Sequence, residues 1–208
     1  MCQDMANRLS CCIRGGSDSR ALDPLIAELD GTYACFTPDQ RAHGRSRDVP
    51  GPLTFEAMAA NTVAFSERSA DTPVHLLGYS DGAIVALYVA LARPDLVRSL
   101  VFAAAVFHYE GWLPGVLDGE VPSFMGDSYG EVSPDGREHW PVVVAKLDAL
   151  HAVAPALTVD DLATLTVPTL VMLGDDDEVH GSDSLIWPRG DGYIWPHRFE
   201  LAGGLVLV

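Results

Sequence analysis

The 208-residue chain reads as an α/β protein, a mostly parallel sheet with helices on both faces, and two features lead to that expectation. Short apolar runs without polar alternation, such as VHLLG at 74–78 and VPTLVMLG at 167–174, suit strands buried on both faces. Longer runs with helical spacing lie between them, and strand, helix, strand alternation builds a parallel sheet through crossover connections.

The elements follow in order. DSRALDPLIAEL at 18–29 spaces Leu22, Leu25 or Ile26, and Leu29 along one helical face, and TYACFT at 32–37 is the strand after it. TFEAMAANTVAFSERSA at 54–70 places Phe55, Met58, Thr62 and Phe65 on one stripe, with the Thr54 hydroxyl available as N-cap. After the 74–78 strand, Ala83 to Ala92 is apolar all round until Arg93-Pro94 stops it, which describes a helix inside the body of the fold. VRSLVFAAAVF at 97–107 is the next strand. From His108 to Pro155 the composition turns to Gly, Pro, Trp and charge, so 108–155 reads as a lid or cap insertion within a single domain, 1–208. It falls at the strand ends, where parallel sheets bind their ligands. The regular pattern returns with TVDDLATLTVPTL, and the tail LAGGLVLV is β-rich and broken by glycine.

Composition excludes several function classes. Thirteen basic against 29 acidic residues leave a formal charge of −16, which repels a nucleic-acid backbone and an anionic membrane surface alike. The longest apolar stretches fall well short of the roughly 18 residues that span a membrane. The first ten residues, MCQDMANRLS, carry Asp4 and Arg8 and lack the apolar core of a secretory leader, so a cytoplasmic location is expected. Cys2, Cys11, Cys12 and Cys35 show neither CxxC spacing nor a His cluster, and adjacent strand residues point to opposite faces. Reduced thiols and no metal site follow as expectations.

Chemistry concentrates in GYSDG at 78–82, where an apolar strand meets an apolar helix. A serine on a strained strand-to-helix turn has its hydroxyl pushed out above the sheet, and Gly78 and Gly82 would let strand and helix approach closely. Ser80 is therefore the candidate nucleophile, the alternative being a tight turn without chemistry. The Asp81 N–H, at the helix start, would face the negative charge of a tetrahedral intermediate.

Three blocks, LLGYSDGA at 76–83, FTPDQRAHGRSRD at 36–48 and VPTLVMLGDDDEV at 167–179, resemble the α/β-hydrolase fold superfamily, in particular its small esterases, lactonases and cofactor-free haloperoxidases. Ala42 stands where the second block usually has glycine. The resemblance implies hydrolysis of small carboxylic esters or lactones through an acyl-enzyme on Ser80, without metal or organic cofactor. The family's Gly-x-x-Asp falls on Gly174 and Asp177, which makes Asp177 the acid of a triad, with Asp175 next. The base follows the acid in chain order, leaving His180 and His197, of which His197 is better placed to reach Ser80. Arg14-Gly15-Gly16 stands where His-Gly-Gly is usual, so a Gly16 or Ser17 N–H is the second oxyanion donor.

Asp81, His108 and Trp112 are the substrate-binding candidates. The Asp81 carboxylate either complements the helix N-terminus or selects an amine-bearing substrate, as GxSDG resembles certain amino-ester hydrolases. His43 could line the cleft. His75, His139 and His151 read as structural, and Trp112, Trp140, Phe124 and Tyr129 either form an acyl pocket or fasten the lid. The likeness covers about 18–177. Both ends depart from it, with no Gly-His or Ser-His pair in the tail, and read as truncated, out of frame or divergent. Missing edge strands would favour a homodimer. The alternative function is a degenerate member of the fold, retaining the elbow but serving as a binding module.

Overall fold

The computed structural model describes residues 7–117 and 121–174 in full and, beyond them, the backbone of four three-residue strands. Nine strands and six α-helices are described: β1 (Arg8–Cys12), α1 (Asp23–Leu29), β2 (Ala34–Phe36), α2 (Phe55–Ser69), β3 (Val74–Tyr79), α3 (Asp81–Ala92), β4 (Val97–Ala103), α4 (Ser123–Val132), α5 (Trp140–His151), α6 (Val159–Ala163), β5 (Thr169–Gly174), β6 (Trp187–Arg189), β7 (Gly192–Ile194), β8 (Phe199–Leu201) and β9 (Leu205–Leu207). Seven strands form one sheet in the order β2-β1-β3-β4-β5-β9-β8, and β6 pairs with β7. The pairings from β2 to β5 are all parallel, while β9 and β8 add an antiparallel edge. The mostly parallel sheet expected from the apolar runs is present.

Burial explains why the central strands are apolar throughout. Leu76, Leu100 and Phe102 are all but inaccessible on one face, under α2 and α3. Each such side chain contributes about 1.5–3 kcal/mol when removed from water. The adjacent cysteines divide as strand geometry requires. Cys12 packs into this main cluster, and Cys11 joins Leu9, Ile13 and Leu22 on the opposite face beneath α1. Burial pushes the Cys12 thiol up to about 11, and burial with the neighbouring Cys12 pushes Cys11 up to about 12.

Local signals set the helix limits. The Thr54 hydroxyl accepts from the Ala57 N–H at 3.1 Å and starts α2, whose Phe55, Met58 and Thr62 are buried as the stripe demands. Helix α3 is buried along most of its length and ends at Arg93, before Pro94. Two expectations shift. The 18–29 helix opens as a 3-10 turn over Ser19–Leu22 before α1 begins at Asp23, with Pro24 in its first turn. The strand predicted over 97–107 ends at Ala103, because Ala104 turns at φ 50°. Val106 remains apolar because it packs with Leu173 and Trp112.

Between β4 and α6 the chain folds into α4, α5 and short turns that lie over the sheet's carboxyl edge. Two ionic networks tie this segment down. Asp48 accepts twice from Lys146 at 2.7 Å and bonds His139 Nε2 at 2.9 Å, both partners coming from the 137–151 region. Burial raises the Asp48 carboxyl, but Lys146 and His139 outweigh it and hold it below the usual range. Arg20 joins Asp18, Ser128 and Glu131, linking the turn after β1 to α4. No helix among the described residues is long and apolar enough to cross a membrane.

Candidate active site at the β3–α3 turn

Ser80 sits between β3 and α3 with φ 55° and ψ −129°, a conformation a side chain occupies only under strain. Its backbone is held from both sides. The Ser80 N–H donates to the Ala103 carbonyl of β4 at 2.9 Å, and its carbonyl accepts from Ala83 N–H at 2.8 Å and Ile84 N–H at 3.3 Å. The flanking glycines are steric requirements. A β-carbon on Gly78 would run into the Gly82 carbonyl and lie 2.6 Å from Ala83 N; one on Gly82 would run into the Cys12 carbonyl and lie 2.6 Å from Ile13 N. Strand β1, strand β3 and helix α3 thus meet backbone to backbone around the serine.

The half-buried Ser80 side chain opens into a cavity of about 310 Å³. Its floor is the Arg14-Gly15-Gly16 loop after β1, and its roof comes from Trp112, Val116 and Leu117, from Pro122 and Met125, and from Leu147 and His151 of α5. Gly16 has φ +73° and is packed so tightly that a β-carbon would lie 2.7 Å from Met125 Cε. The Asp81 amide, first in α3, has no acceptor within its own helix. Of the sequence candidates, the fold brings Ser80, Asp81, Gly16 and Trp112 to this one cavity.

His108 goes elsewhere, which corrects its assignment to the substrate cleft. It lines a separate pocket of about 290 Å³ with Phe107, Glu110 and Leu157, because the turn at Ala104 and a bridge to Ala156 carry it away from Ser80. His43 does not line the cleft. It is 3% exposed, its Nδ1 lies 2.8 Å from the Arg41 carbonyl, and burial pushes its pKa below the ordinary value. Asp177, Asp175, His180 and His197 lie outside the described residues; β5, which precedes the aspartates, ends at Gly174 on the sheet edge that carries Ser80.

The residue that sequence reasoning missed is His151. Read as structural, it projects from the last turn of α5 into the cavity, and its Nε2 lies 2.9 Å from each Asp81 oxygen. Asp81 is itself buried, and Gly15 makes the room, since a β-carbon there would collide with the carboxylate. Burial pushes the His151 imidazole down, but the Asp81 bond and the charges of Asp81 and Asp148 outweigh it, so the pKa is raised. The Trp112 ring stands edge-on to the imidazole at 6.5 Å between centroids. A signal was present: Val143, Leu147 and His151 recur at i, i+4 and i+8, and the first two are buried.

Known proteins share this architecture. Residues 12–139 match the family described as the alpha/beta hydrolase fold. The pimeloyl-[acyl-carrier protein] methyl ester esterase of Neisseria meningitidis is 36% identical over 90 residues, 43% of this chain and 27% of the esterase. Lipase LipV of Mycobacterium tuberculosis is 41% identical over 64 residues, 31% of this chain and 24% of the lipase. The matched part therefore spans about a quarter of those curated relatives' length. Among solved structures, the enol-lactonase of Burkholderia xenovorans superposes with TM-score 0.63 at 20% identity, covering 86% of this chain and 77% of that one. NosK of Streptomyces actuosus gives 0.65 at 20% identity over 89% of each chain. At such identities the two structures speak for the fold alone, whereas the family match covers more than half of the sequence: the chain belongs to the α/β-hydrolase fold family.

Proposed function

We propose that the protein is a serine hydrolase that cleaves small carboxylic esters or lactones through an acyl-enzyme on Ser80. The observation that carries this reading is the Ser80 backbone, held at φ 55° on a turn beside a cavity. Strain of that kind costs about 1–3 kcal/mol and persists where the surroundings enforce it, commonly at reacting groups. The esterase and lipase named among the relatives support the reaction class.

In this reading the Ser80 Oγ attacks the substrate carbonyl while His197, oriented by Asp177, takes the hydroxyl proton and later delivers it to the leaving alcohol. The Asp81 and Gly16 N–H groups hold the oxyanion. Water then repeats the sequence on the acyl-enzyme, returning the free serine and a carboxylic acid. A cavity of about 310 Å³ stands at the small end of ligand sites, which run from about 300 to 1,000 Å³, and so favours short acyl groups against Trp112.

A fluorophosphonate probe followed by peptide mass spectrometry tests the nucleophile. The expected result is one label per chain, on Ser80, absent in Ser80→Ala and slowed in His197→Ala. A folded sample that takes no label would overturn the reading in favour of a binding module on the same frame.

A further inference from the structure

Charge in the Ser80 cavity is arranged differently from what GYSDG alone suggests. The Asp81 carboxylate, which would suit a substrate amine, is already engaged by His151 through both oxygens. Asp148 of α5 also lines the cavity but is exposed to solvent, which screens its charge. Among the described residues the arginine on the cavity is Arg14. Its Nε donates to Ser17 Oγ at 2.9 Å and its Nη2 lies 3.4 Å from the Met125 sulfur, a weak acceptor. Among the described residues it has no carboxylate partner, as is also true of Arg41, Arg68 and Arg98, but of these four it is the one that lines the Ser80 cavity.

We propose that Arg14 determines substrate specificity by binding a carboxylate on the ester or lactone, so that the site selects monoanionic substrates over neutral or amine-bearing ones. A guanidinium presents paired N–H donors that match a carboxylate's two oxygens. Trp112, Leu117 and Leu147 supply apolar wall for the methylenes between that anion and the scissile carbonyl. On a chain with a formal charge of −16, an anion entering this cavity needs a cationic side chain to receive it.

The identity of the reaction rests on the proposed hydrolysis, but the charge preference does not, and two measurements separate them. Monomethyl glutarate and methyl pentanoate are close in length and differ in the anion. The expected ratio of their kcat/KM values favours the anionic ester; it falls about tenfold or more in Arg14→Gln through KM, and Arg14→Lys restores part of it. Equal values for the two esters in the unmodified protein, or a ratio unchanged by Arg14→Gln, would overturn the proposal. If neither ester is hydrolysed, the hydrolase reading fails by itself. Calorimetric titration of Ser80→Ala with the same two esters then decides: tighter binding of the anionic ester, lost in Arg14→Gln, upholds Arg14, and equal or undetectable binding of both refutes it.

Discussion

Replacing Ser80 by glycine and, separately, by alanine measures the strain stored at the turn. Both variants remove the hydroxyl, so they differ in backbone freedom and one methyl group. At an ordinary position glycine is the less stable of the two, because it adds about 0.4–1 kcal/mol of chain entropy to the unfolded state. Ser80 is not ordinary: φ 55° with ψ −129° is a region glycine enters freely and a side chain enters at about 1–3 kcal/mol. Subtracting the entropic loss from the relieved strain leaves Ser80→Gly more stable than Ser80→Ala by about 0–2.6 kcal/mol, with its centre at about 1.3 kcal/mol.

For a chain of 208 residues, 1 kcal/mol moves the melting midpoint by about 2–4 °C, so the two variants should separate by a few degrees. Paired urea titrations give the free energy directly, provided their slopes agree. The sign decides the matter. If alanine proves more stable than glycine, position 80 is unstrained, and the case for a nucleophile forced out over the cavity loses its physical basis.

Gly82→Ala should destabilise by about 3 kcal/mol, since the new carbon meets Cys12 and Ile13 backbone that can move only by parting β1 from α3; urea unfolding checks it, and a loss under about 0.5 kcal/mol would contradict that packing. Cys11 and Cys12 should resist iodoacetamide at pH 8 in the folded protein and react once it is unfolded, because both are buried with pKa values pushed up to about 12 and about 11; peptide mapping identifies them. Lys146→Met should cost about 2 kcal/mol and flatten the acid limb of a stability profile, which Asp48 shapes: its depressed pKa contributes stability present above about pH 3.9 that is lost as pH falls through the folded value. His151→Gln should remove a loss at the alkaline end, because a raised histidine pKa contributes stability present below about pH 6.5 and lost as pH rises through the folded value.

The central strands were legible because both their faces are covered. Leu76 and Leu100 pack under α3, Leu77 faces the α1 side, and such runs need no alternation to be recognised. Helix α2 was legible from its cap and stripe, which are local. Sequence reasoning erred where apolar character came from something other than a strand. Val106 continues the 97–103 run in composition, yet it is buried against Leu173 and Trp112 after a left-handed turn at Ala104 that the sequence does not announce. Alanine carries no preference for such a turn; only the fold around it selects one.

The same contrast runs through the site. Ser80, Gly78 and Gly82 stand within five residues, so their steric logic could be read directly from the chain. His151 stands 70 residues from Asp81, and its role depends on how α5 is laid across the sheet edge. The anchors that lay it there are themselves distant pairs: Lys146, the sole lysine of the chain, binds Asp48, and His139 binds the same carboxylate. Fixing α5 at Asp48 sets where its last turn falls, and its last turn sets the charge of the cavity. Asp81 by itself would add to the acidity that Asp148 gives the pocket wall; His151 against it offsets that charge, which is what the proposed role of Arg14 requires. On the proposal that Arg14 receives an anion, the charge preference therefore depends in part on the largely buried Asp48–Lys146 ion pair that holds α5. Lys146→Met, by freeing the last turn of α5, should shift the preference between anionic and neutral esters in the same direction as Arg14→Gln only where Arg14 acts together with the His151–Asp81 pair; a preference that ignores Lys146 would place charge recognition on the β1 loop alone.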